Sequence, residues 1–169
     1  MNYYDEIKRE LINNEINKKV KDYSKNKSDL DTYYNVGKLL IEAQGGLDRN
    51  EYGNKLIKEY SLKLTEELGK GYSWRNLYNM RLFYIKFNDE KILQSMPAKL
   101  TWSHYTELLN INDINKINYY IKITEEQNLP YRELHRRIKN NEYERLDDKT
   151  KEKLVYVMWI FTLYRAFIV

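Results

Sequence analysis

The chain has 169 residues, of which 32% are charged with both signs interspersed, and its formal net charge is +4. Seventeen tyrosines set it apart from disordered chains, and the absence of cysteine excludes a disulfide framework and any thiolate zinc site. The two histidines lie far apart, so no metal or other cofactor is expected, while the mild positive charge permits a nucleic-acid partner without requiring one.

With two prolines, six glycines and no sustained alternation of apolar and polar residues, the pattern predicts a mainly all-α protein. The N-terminus is charged from Asp5 and has no signal-peptide core, which points to the cytoplasm. A first helix is expected over 5–22, with Ile7, Leu11, Ile12 and Ile16 on one side, ended by the polar run SKNKSD. Asp29 or Asp31 can cap a second helix that runs to Gln44 and stops at Gly45-Gly46.

The stretch 51–87 reads as two amphipathic helices around a glycine-bounded turn, the outline of a helix-turn-helix. On the first of them Tyr52, Leu56, Ile57, Tyr60, Leu64 and Leu68 share an arc, and Gly53 falls inside it, where another helix can come close. Gly69 suits the position after the helix end. Ser73 is a strong N-cap for the next helix, with Tyr72 and Leu77 spaced as a hydrophobic staple. Beyond Phe87 the chain is looser until Pro97. Thr101 then repeats the capping device before a short helix, a further helix spans 113–127, and Leu129-Pro130 turns the chain into a helix over 131–140. The two segments joined at that corner form a second candidate helix-turn-helix, about 113–140.

Candidate contacts follow from the helical wheel. On the helix from Trp74, the residues Trp74, Leu77, Tyr78, Met80, Tyr84, Ile85 and Phe87 make a broad apolar side, and Arg75, Asn76, Asn79 and Lys86 lie opposite with Phe83 among them. Arginine and asparagine are the side chains that pair bidentately with guanine and adenine edges. A solvated polar face explains the same pattern equally well. Arg81 falls inside the apolar arc, which leaves two readings: an ion pair with Glu59, Glu66 or Glu67, or a direct nucleic-acid contact. On the helix after Pro130, Arg132, Arg136 and Lys139 share one side and Tyr131, Leu134 and Ile138 the other.

No catalytic constellation emerges. His104 sits at the third position of a short helix, where a structural role is expected, and His135 has basic neighbours without an evident carboxylate to orient it. Glu6-Ile7-Lys8 matches the E-x-K of nucleases by chance, since it falls on a helix and not on a strand beside a metal-binding aspartate. GKGYS lacks the spacing of a phosphate-binding loop, and the adjacent pairs Glu66-Glu67 and Glu125-Glu126 diverge on a helix. The chain closes on LVYVMWIFTLYRAFIV, sixteen residues with Arg165 as their single charge. A membrane span needs roughly 20. A packed hydrophobic helix, or a surface for self-association through 154–169, is expected instead of membrane contact.

Four blocks carry a resemblance: YYNVGKLLIEAQ, then EYGNKLIKEYSLKLTEELGKGYSWRNLYNMRLFY, then LTWSHYTELL, then LPYRELHRRI followed by YERL. In this order they resemble the N-terminal domain of the YhcG family, which precedes a PD-(D/E)XK nuclease domain and is regarded as a helical, winged-helix-like DNA-binding unit. The resemblance covers about 33–146 and implies that 51–87 is the helix-turn-helix, with Ser73, Arg75, Asn76 and Arg81 on the matching motif. It also implies that Trp102 to Tyr105 belongs to the domain framework. The chain is read as a domain over 1–150 and an apolar tail over 151–169, where it departs from the family. The nuclease residues of that family have no counterpart in this sequence. The expectation is therefore a non-catalytic module for double-stranded DNA, with Lys70, Ser73, Arg75, Asn76, Asn79, Arg81, Lys86, Arg132, Arg136 and Lys139 as candidate contacts. The alternative is a protein-interaction module that docks a separate nuclease subunit or self-associates through its tail.

Overall fold

The computed structural model describes residues 2–20, 25–87, 96–97 and 99–153. Two compact units divide the chain, Met1–Leu93 and Gln94–Val169. Among the described residues both are helical without strands, so no β-wing accompanies either candidate helix-turn-helix there. The apolar tail 154–169 and most of the looser stretch 88–97 lie outside the described residues.

The first unit comprises α1 (Tyr3–Val20), α2 (Lys25–Gln44), α3 (Asn50–Leu68), a single 3-10 turn (Lys70–Tyr72) and α4 (Trp74–Lys86). Its core draws on every helix: Ile7 and Leu11 from α1, Val36 and Leu40 from α2, Ile57 and Leu64 from α3, Leu77, Met80 and Phe83 from α4. The most extensive packing joins α2 to α4 and to α1. Gly37 makes the former possible. A Cβ there would stand 2.2 Å from the Met80 carbonyl oxygen, so only hydrogen fits between the two backbones.

The expected close approach at Gly53 is also present: a Cβ would meet the Gln44 side chain at 1.9 Å. Gly45 and Gly46 end α2 with positive φ of 88° and 110°, and their amides donate to Glu42 and Ile41 in the Schellman pattern. Two expectations are corrected. α2 begins at Lys25, before Asp29, whose carboxylate accepts from Asn14 Nδ2 (2.7 Å) on α1. On α1 the wheel is rotated, because Asn14 turns inward to reach Asp29, leaving Ile12 37% and Ile16 54% exposed.

The second unit contains α5 (Trp102–Leu108), α6 (Ile114–Gln127), α7 (Tyr131–Lys139), a turn over 140–146 and a helical segment over 148–153. Tyr105, Leu108, Ile117, Tyr120, Leu134 and Tyr143 form its core. His104 has the structural role expected of it. Its Nδ1 accepts from the Thr101 amide (3.0 Å) at the start of α5. Burial pulls its pKa down, only partly offset by the Leu129 backbone, so the ring stays neutral near pH 7.

Asp113 caps α6 by accepting from the Asn115 and Lys116 amides at 2.8 and 3.3 Å. Asn128, left-handed at φ 50°, closes α6, and α7 begins after Pro130. The turn after α7 is fastened to α6 by Tyr119, which donates to Glu142 (2.8 Å), by Tyr120, whose hydroxyl receives the Tyr143 amide (3.3 Å), and by the Lys116–Glu144 ion pair.

Candidate nucleic-acid interface

Between α3 and α4 the chain turns through Gly69 (φ 102°) and the 3-10 segment. Ser73 caps α4 as expected, its side chain accepting from the Asn76 amide at 3.4 Å. Asn76 also closes the turn with its own side chain, Nδ2 donating to the Gly71 carbonyl at 2.8 Å. Both residues are thus occupied in building the corner. Lys70 and Arg75 are exposed, while Asn79 and Lys86 are half-buried, and burial pulls the Lys86 pKa down.

The face of α4 differs from the expected one. Leu77, Met80, Arg81 and Phe83 are its buried set, so Phe83, expected among the polar residues, lies in the core. Trp74, Tyr78, Leu82 and Ile85 remain partly exposed, with Trp74 stacked on Tyr78 at 5.3 Å between ring centroids. Arg81 is 3% exposed and its guanidinium lies 5.8 Å from the Tyr78 ring. Burial lowers its pKa, with Tyr78 acting the other way. Of the carboxylates expected for it, Glu59 holds Lys63 at 2.8 Å, and Glu67 holds Lys8 and the Tyr4 hydroxyl. Arg81 is a buried residue, on a helix that packs on α2 and α3.

The α6–α7 corner is tighter, with Asn128, Leu129 and Pro130 alone between the helices. α7 buries Leu134 and presents Tyr131, Arg132, His135, Arg136 and Lys139 as exposed residues. At 100° per residue these five form one continuous arc. Arg132 and Lys139 make no ion pair among the described residues. Arg136 is held by Glu133 through two hydrogen bonds, 2.9 Å at Nε and 2.7 Å at Nη2. Arg137 reaches the same carboxylate at 3.0 Å, and the two guanidiniums draw the Glu133 pKa from its ordinary value near 4.5 down to about 2.

One feature of this face was not legible beforehand. His135 Nδ1 lies 2.8 Å from Glu107 Oε1, and Tyr131 donates to Glu107 Oε2 at 3.1 Å. Glu107 is on α5, 28 positions before His135, and no local spacing rule links residues so far apart. Beside it, Glu107, Asn110, Asp113, Lys116, Asn141 and Glu144 line an open cleft of about 700 Å³ within the same unit. Among the described residues, no three His, Cys, Asp or Glu side chains cluster as metal ligands would, and no helix is long and apolar enough to cross a membrane.

The DUF1016 N-terminal domain family model matches residues 7–145, which takes in all seven named helices but the first residues of α1. Among curated proteins, one from Escherichia coli (strain K12) named "Putative nuclease YhcG" is 31% identical over an alignment of 144 positions. That alignment covers 68% of this chain and 38% of the relative, so the chain corresponds to well under half of the longer protein. No solved structure matches the chain significantly.

Proposed function

The chain belongs to the DUF1016 N-terminal domain family, and we propose that it is a non-catalytic DNA-binding module whose main grip on the duplex is the exposed face of α7. The observation that carries this reading is the arc of Tyr131, Arg132, His135, Arg136 and Lys139 directly behind a three-residue corner. A helix so placed can lie along a groove with its cations toward phosphates, the arrangement that helix-turn-helix proteins use. Lys70 and Arg75 at the start of α4 add a second, smaller cationic contact. Of the other α4 candidates, Ser73 and Asn76 build the corner, Arg81 is buried, and Asn79 and Lys86 are half-buried.

Phosphate contacts supply affinity that falls with salt, by roughly 0.9 in log–log slope for each contact. The similarity to a protein named as a nuclease supports a targeting role, with catalysis supplied by residues outside this stretch. The test is an anisotropy titration of the full chain on a short labelled duplex at several salt concentrations. Binding at low salt with a slope near −3 is expected. No binding at low salt, or binding indifferent to salt, would refute the reading.

A second reading is favoured by one observation, the sixteen-residue apolar run 154–169 with its single charge. Such a run left in water forms a sizeable apolar patch, which suits a protein partner or a second copy of this chain. Light scattering of the chain with and without residues after Lys153 separates the two readings. A mass that falls to the monomer value on truncation, with DNA affinity unchanged, would assign assembly to the tail and binding to α7.

A further inference from the structure

His135 lies on the exposed arc of α7, one turn after Tyr131 and one turn before Lys139, on the same arc as Arg132 and Arg136. Its side chain is 51% exposed, whereas that of Glu107 beneath it is 18% exposed. The carboxylate is pinned twice, by the Tyr131 hydroxyl on one oxygen and by His135 Nδ1 on the other. Held in this way, the imidazole has its direction fixed and Nε2 left as its outer edge.

We propose that His135 is a phosphate-binding residue, its imidazolium bridging Glu107 through Nδ1 and a phosphodiester oxygen of DNA through Nε2. This rests on the DNA-binding reading of α7 and adds a contact to it. Only the imidazolium donates from both nitrogens. A neutral ring that keeps its Nδ1 proton on Glu107 turns an Nε2 lone pair toward the phosphate, acceptor against acceptor. Engagement of the backbone therefore draws a proton onto the ring, and the affinity rises as the pH falls through the histidine range.

The charged groups around the ring are Glu107 from α5 and Arg132, Arg136 and Lys139 from α7 itself. His104, the imidazole on α5, has its ring centroid 6.5 Å from that of Tyr131 and is buried and neutral. Of the ionic groups of α6, Lys116 pairs with Glu144 and Lys122 with Glu126, while Glu125 stands beside Tyr105.

The experiment is a titration of the full chain on a labelled duplex at pH 8 and pH 6, each over a range of salt, for wild type, His135→Gln and Glu107→Gln. Wild type is expected to bind roughly three- to fivefold more tightly at pH 6. Its salt slope should steepen by about 0.9, one added phosphate. His135→Gln should lose both changes, its affinity and salt slope no longer differing between pH 8 and pH 6. Glu107→Gln, which removes the carboxylate that fixes Nδ1, should reduce the gain at pH 6. A pH response that survives in His135→Gln, or one that is absent from wild type, overturns the proposal and leaves the DNA-binding reading intact. Absence of binding at every pH overturns both.

Discussion

Two helical corners in this protein share an outline and differ in what their second helix is free to do. α4 follows a glycine turn and carries a well-formed cap, yet it buries Leu77, Met80, Arg81 and Phe83 and packs on α2 and α3. α7 follows a shorter corner with a proline at its start and buries Leu134 with Ile138 and Arg137 half-covered, leaving five consecutive wheel positions exposed. A helix that serves as a central strut has little face left for a groove. One laid on the edge of its unit keeps a full side. A strong cap and a clear turn therefore mark where a helix begins, and not whether it is available to a partner.

The largest expected effect tests the strut. Gly37→Ala places a Cβ 2.2 Å from a backbone oxygen of α4 that cannot step aside, and overpacking of this kind costs about 3 kcal/mol. Gly53→Ala meets a side chain, the buried amide of Gln44, and not a backbone, so a smaller loss of about 1–2 kcal/mol is expected there. Chemical denaturation of the two variants should rank them in that order. Equal losses would mean that α4 is not held as tightly against α2 as the geometry requires.

Next comes the comparison of the faces. Replacing Arg132, Arg136 and Lys139 together by alanine should flatten the salt slope of DNA binding by roughly 2.7 and weaken binding on the order of 100-fold at low salt. The Lys70→Ala, Arg75→Ala pair should change the slope by less than about 1. The reverse ranking would return the leading role to α4.

A smaller effect concerns the restraint on the α7 face. Glu133 has its pKa depressed from near 4.5 to about 2 by Arg136 and Arg137. A depressed carboxylate stabilises the fold above its unfolded value, and that contribution is lost as the pH falls from about 4.5 toward about 2. Glu133→Gln should remove this step from the acid-side melting profile followed by circular dichroism. It should also release Arg136 for phosphate and raise DNA affinity roughly twofold. A variant with an unaltered acid profile would show that the pair at 2.7 and 2.9 Å is no more than a solvated contact.

The parts that were legible in the amino-acid sequence are those set by neighbours along the chain. Ser73, Thr101 and Asp113 stand where helices begin, Gly45, Gly46 and Gly69 where they end, and Gly53 where one helix nears another. Gly37 carried no such mark, because a glycine in mid-helix is informative only once the opposing backbone is known. The direction of α4 was misjudged for a related reason. Tyrosine and tryptophan count as apolar on a wheel, but their amphipathic rings cover the rim of a core as readily as they fill it, and here Phe83 and Met80 are inside while Trp74 and Tyr78 sit at the edge. Glu107 and His135 meet only because α5 and α7 are packed together.

Arg81 offers the finest test of the comparison, because it was the residue on which a core role and a contact role competed. Its side chain is 3% exposed and lies against Tyr78, and burial depresses its pKa. A charge taken out of water in this way is costly, so an apolar side chain of similar length is often tolerated in its place. Arg81→Met should leave the salt slope of DNA binding unchanged within about 0.3, since each phosphate contact is worth about 0.9. If the slope instead falls by a full contact, α4 must turn that side outward when DNA binds. The division between a strut helix and a free helix would then describe the unbound protein alone.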